Sequence, residues 1–199
     1  MSYKCEFIDI RLPKKTYDMI EKAVTSLFLK LKICKYPIDP FEIIRKLGYV
    51  LQTYSNLSKE KQLALKVKGL DATSFYDPYL RVFIIYHDET QPIERLRFTL
   101  MHEVGHIILG HKEESDLAKK MADYFAAYSL APSPIIMRYD CEDYLDVAEK
   151  FKISIESAYY TFQRYNNWYE YSGDIKPYEK ALISLFDSAN DTEERGNVC

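Results

Sequence analysis

Residues 101–111 read MHEVGHIILGH and hold three of the four histidines in a chain of 199 residues. Thr99, Leu100, Val104, Ile107, Ile108 and Leu109 surround them with apolar side chains. From Glu94 to Leu109 the apolar residues recur at helical spacing, with Gly105 as the one weak point, and Pro92 marks the break before the helix. The segment is therefore expected to be a half-buried helix that turns His102 and His106 towards one place.

Residues four apart on a helix share a face, with Cβ atoms about 5–6 Å apart, so His102 and His106 can aim two imidazole nitrogens at a single ion. Glu103 stands one step round the helix. From there its carboxylate can take a proton from a metal-bound water as it attacks a peptide carbonyl and pass it to the leaving amine. Zinc suits neutral imidazole and lowers the pKa of its bound water towards neutrality. The His-Glu-x-x-His spacing thus nominates His102 and His106 as metal ligands, Glu103 as general base and Zn2+ as cofactor. The longer metzincin pattern would need glycine and histidine where the chain has Leu109 and Lys112. His111 is then expected as a cation at the helix C-terminus or as a group behind the ligands. His87 is expected as an isolated turn residue.

Composition bounds the remaining possibilities. Hydrophobic residues make up 47% and charged residues 29%, the balance of a globular chain able to build a core. A formal net charge of -3 gives no overall basic field for nucleic acid. Apolar runs such as VFII are far shorter than the roughly 20 residues that cross a bilayer, and the N-terminus lacks the apolar segment of a secretory signal. A cytoplasmic location is expected, with no membrane and no direct nucleic-acid partner. Cys5, Cys34, Cys141 and Cys199 show no CxxC spacing and read as free thiols.

Along the chain, a helix is expected over Tyr17 to Leu31 after Pro13, and a shorter one over FEIIRKLG, stopped by Gly48. YVLQTY reads as a strand, residues 56–66 as a polar, helix-prone insert, and Ala72 to Tyr86 as a hairpin turning at Asp77-Pro78-Tyr79. Beyond the His-containing helix come a helix from Ser115 to Leu130 with Leu117 on its apolar side, a helix pair over Asp143 to Phe151 and Ala158 to Tyr171, and a last helix over Glu179 to Phe186. The class is α+β, a single domain spanning 1–199. Residues 1–48 supply N-terminal helices, 49–134 the core with its small mixed or antiparallel sheet, and 135–199 a helical C-terminal lobe.

Four blocks in order, YPIDPFEIIRKLGYVL, RVFIIYHDE, RLRFTLMHEVGHIILGH and MADYFAAYSLAP, resemble the ImmA/IrrE metallo-endopeptidases. The resemblance implies a minimal zincin-like domain, a cytoplasmic zinc endopeptidase, and a helix-turn-helix (XRE-type) repressor as the protein cut or otherwise relieved. It also implies a setting in prophages, mobile elements or stress-response loci. The last block departs from the family's form. Family members place a glutamate, the third zinc ligand, within the turn before an Asn or Asp, whereas Lys119 and Met121 stand four and two residues before Asp123 here. Asp123 remains, either as third ligand beside His102 and His106 or as the group that orients His102 from behind. Glu113, Glu114 and Asp116 are fallback carboxylates or an acidic helix start. Without a third ligand the chain would be a degenerate member that binds its repressor without cutting it.

LDVAEKFKISIESAYYTFQRY, within 143–171, has the look of a helix-turn-helix, with Ser154 or Ser157 as cap. Between Ser157 and Tyr171 the one basic residue is Arg164, so packing is the expected role rather than DNA reading. LRVFIIY is the strand nominated to pair with an extended peptide substrate. Tyr124, Tyr128, Tyr139, Tyr159 and Tyr160 are the candidate oxyanion stabilisers.

Overall fold

The computed structural model describes residues 12–113, 115–171 and 174–196, so Cys5, Glu114 and Cys199 lie outside the described residues. Helix α1, Lys14–Leu31, starts after Pro13, and α2, Pro40–Lys46, is capped by the Asp39 carboxylate, which accepts from the Phe41 N–H at 2.9 Å. Gly48 follows α2 at φ +72°, a left-handed turn that a side chain would strain, and releases the chain into strand β1, Val50–Thr53. A short 3-10 turn and helix α3, Lys59–Val67, fill the polar insert, with the Ser58 hydroxyl as cap.

Strands β2, Ala72–Asp77, and β3, Val82–His87, form the expected hairpin. At its tip Asp77 Oδ1 accepts from the N–H groups of Tyr79 and Leu80, at 2.8 and 3.0 Å. The sheet order is β1-β3-β2, with β1 parallel and β2 antiparallel to β3. The α+β class with a small mixed sheet is therefore borne out. Because β3 is the middle strand, both of its edges are taken, and LRVFIIY has no free edge to offer a peptide. His87 is likewise no turn residue. It ends β3, is buried, and has its pKa lowered, chiefly by that burial.

Helix α4, Ile93–Ile108, carries the histidine motif and buries Leu100, Met101 and Val104 against the sheet and α2. Helix α5, Asp116–Leu130, is capped by the Ser115 hydroxyl on the Ala118 N–H and packs on α4 on one side and on α1 on another. Its buried face is Ala118, Ala122, Phe125 and Ala126, while Leu117 lies exposed, one position off the apolar stripe. Gly105 makes the close approach of α4 and α5 possible: a Cβ there would meet the Phe125 ring and Cβ at 3.0–3.1 Å.

A short helix that periodicity did not signal, α6, Ser133–Arg138, follows Pro132, with proline tolerated in its first turn. Then come α7, Tyr144–Phe151, capped by Asp143, and α8, Ile155–Tyr171, which begins three residues before the expected start. Helix α9, Pro177–Gly196, is longer than expected and packs on α1 and α6. Arg97 ties these parts together. Its buried guanidinium donates to the carbonyls of Phe151 and Lys152 at the end of α7 and, at 2.6 Å, to that of Ile38 before α2. Among the described cysteines, Cys34 and Cys141 are free, and burial pushes the Cys141 thiol up to about 11. No helix of the described residues is long and apolar enough to cross a membrane.

Candidate active site

On α4, His102 and His106 fall one turn apart and face a pocket of about 180 Å³. Thr73 and Ser74 of β2 border one side. Glu103, His111, Lys112, Glu113 and Lys119 line it as well. The volume is below the roughly 300 Å³ at which small-molecule pockets begin, so the space suits a few atoms of a longer chain better than a metabolite.

The Nε2 atoms of His102 and His106 lie 2.9 Å apart. Two nitrogens bound to one tetrahedral zinc at 2.0–2.1 Å would be about 3.3 Å apart, so the rings already converge as a shared ion requires. Each ring is also held from behind. His102 Nδ1 meets Asp123 Oδ1 at 2.8 Å, and His106 Nδ1 meets His111 Nδ1 at 3.0 Å. A carboxylate on Nδ1 fixes His102 as the Nδ1–H tautomer and leaves its Nε2 lone pair for the pocket. His106 is pushed down to about 4, first by burial, then by the neighbouring His102 and His111, with Asp123 opposing and Lys119 adding to the depression. It is neutral at pH 7, as a metal ligand must be. His111 is also lowered, chiefly by burial, so it is the group behind His106 and not a helix-terminal cation.

Asp123 therefore sits on the outer nitrogen of His102, the side away from the Nε2 pair. Among the described residues no group of three His, Cys, Asp or Glu is gathered so as to hold a metal ion. The two imidazoles fit zinc as a pair, and the third protein donor that the resemblance implies is not in place. Of the fallback carboxylates, Glu113 borders the pocket and Asp116 opens α5.

Glu103 is held by a neighbour that sequence reasoning missed. The Ser74 hydroxyl donates to Glu103 Oε2 at 2.6 Å, from the outer strand of the sheet. Ser74 has no motif to mark it; only its place two residues after buried Ala72, on the same face of β2, could have drawn attention. The β2 edge that β3 does not use runs beside this contact, and it replaces β3 as the place where a peptide backbone could pair.

None of the five candidate tyrosines borders the pocket. Tyr124 donates to Glu21 at 2.6 Å in a cluster between α1 and α5, with the Arg164 guanidinium 5.5 Å from its ring centre. Arg164, the one basic residue of α8 after Ser157, is thus turned inward. Tyr54 is closer to the chemistry. Its pKa is raised first by burial and next by the Glu103 charge, and its hydroxyl donates to the Leu70 carbonyl at 3.1 Å.

No curated protein matches the sequence. A family profile described as the IrrE N-terminal-like domain of Peptidase_M78 matches residues 61–163, a stretch that begins in α3, includes β2, β3 and the whole pocket, and ends within α8. That match covers just over half of the chain and supports a peptidase of the metallopeptidase type. With its paired histidines on α4 and Glu103 beside them, the chain belongs to the Peptidase_M78 family.

Proposed function

We propose that the protein is a zinc-dependent endopeptidase that works in the cytoplasm and hydrolyses one peptide bond in a specific protein partner, a helix-turn-helix repressor. The observation that carries this reading is the convergence of His102 and His106 at 2.9 Å with both outer nitrogens engaged. Histidines that merely fill a surface have no reason to share one axis and each gain a partner behind.

Zinc held by these nitrogens would supply Lewis acidity to a water and to the scissile carbonyl. The protein's own groups do the rest. The β2 edge aligns the substrate backbone, Ser74 positions Glu103 through its Oε2, and the Glu103 carboxylate takes a proton and returns it to the leaving amine. The pocket admits the reacting peptide unit and little else, which leaves target choice to surfaces outside it.

The test is incubation of the zinc-loaded protein with the candidate repressor, followed by mass analysis of fragments. Glu103→Gln is expected to keep zinc and abolish cleavage, and His106→Ala to lose both. Retained cleavage in Glu103→Gln would sink the mechanism. A second reading, a protein that binds the repressor without cutting it, is favoured by Lys119, which borders the pocket in the turn before Asp123 where a third donor is wanted. It predicts a stable complex and no fragments.

A further inference from the structure

On α5, Lys119 and Asp123 are one turn apart and so share the face that packs towards α4. Asp123 reaches the outer nitrogen of His102, while Lys119 lies at the rim of the pocket with His102, Glu103 and His106. Helix α5 could supply a third donor from this turn. What it supplies is an ammonium, which has three N–H donors and no lone pair to give a metal.

We propose that Lys119 sets the metal affinity of this pocket, leaving an ion only two protein ligands, so that zinc is held loosely and exchanges with the surrounding pool. The inference rests on the metal-site reading given above. Charge acts in the same direction as the missing lone pair. Lys119 brings its positive charge to the same pocket that the two imidazoles line, where it repels a doubly charged ion. Glu113, the carboxylate that borders the pocket beside Lys119, comes from the segment between α4 and α5, and among the described residues no group of three His, Cys, Asp or Glu is gathered to hold an ion. Position 119 is therefore where a single substitution would complete the site.

Zinc affinity of the full chain, measured by competition with a chromophoric chelator, tests this. Lys119→Glu is expected to bind zinc at least 100-fold more tightly than the unaltered protein and to retain one zinc per chain through dialysis. Lys119→Gln, neutral and with a carbonyl oxygen, should fall between them and covers a folding failure of the first variant. Glu113→Gln should change little, and adding His106→Ala to Lys119→Glu should remove the gain. Equal tight binding by the unaltered protein and Lys119→Glu would overturn the role of Lys119 alone. Absence of zinc from every folded variant would overturn it together with the metal-site reading.

Discussion

His102 donates its Nδ1–H to Asp123 Oδ1 across 2.8 Å, so the aim of one metal-facing ring on α4 is set by a carboxylate on α5. Partners of this kind behind a ligating histidine typically contribute 10–100-fold in metal affinity. Asp123→Ala is expected to weaken zinc binding by about that factor, and Asp123→Asn, which can still accept from Nδ1–H, by about tenfold or less. Chelator competition checks both. A loss in Asp123→Asn as large as in His106→Ala would instead make Asp123 a ligand.

Ser74 is expected to matter for turnover and not for folding. Its hydrogen bond to Glu103 is of the charged kind, worth roughly 1.5–3 kcal/mol, or about 10–100-fold in rate if it acts mainly in the transition state. Ser74→Ala should lower kcat by about that factor with KM and melting temperature little changed. A rise in KM alone would place Ser74 in substrate binding.

Stability of the metal-free protein should drop as pH falls through the histidine range. His106 is depressed to about 4 from an ordinary value near 6.5, and His87 and His111 are shifted in the same direction. Over that interval the unfolded chain binds more protons than the folded one, so stability rises with pH between about 4 and 6.5 and is fully present above 6.5. Melting temperature followed from pH 7 to pH 5 in chelator is the measurement. His106→Gln should flatten part of the slope. Asp18, Asp88 and Glu89, whose pKa values are lowered, act at the foot of this window and below it.

Gly105→Ala should destabilise the fold although alanine is the better helix former. The gain in helix propensity is about 0.5–1 kcal/mol, whereas forcing Phe125 aside is an overpacking cost of about 1–3 kcal/mol. Thermal melts should therefore fall. Phe125→Leu in the Gly105→Ala background should recover part of the loss by making room; no recovery would place the strain elsewhere.

The sequence made the helical parts of this site legible and left the sheet obscure, for a physical reason. Helix α4 is written in local spacing, and so is the shared face of His102 and His106. The cap residues Ser58, Ser115 and Asp143 are local signals too. Strand order is not local. LRVFIIY is more apolar than ATSFYD because it is the central strand, so apolarity pointed away from the edge that a peptide could use. Ser74 became visible only once β2 was laid beside α4. Among the candidate tyrosines, Tyr124 and Tyr139 are taken up by packing, at Glu21 and Phe151, and Tyr159 and Tyr160 lie exposed on α8 away from the pocket. Helix α6 was hidden by Pro132 and Pro134, residue types that commonly follow a helix end and here stand at a start.

Arg97 gives the molecule a practical boundary wider than the stretch it shares with its family. Two of its carbonyl partners, Phe151 and Lys152, lie inside residues 61–163, but the third, Ile38, lies before them, as does the whole of α1 on which α5 rests. A fragment trimmed to 61–163 would leave part of a buried cation without its acceptor and one flank of α5 wet. Expression, crystallisation and any transplant of this pocket into another scaffold should therefore start no later than α1 and carry α7 to its last turn.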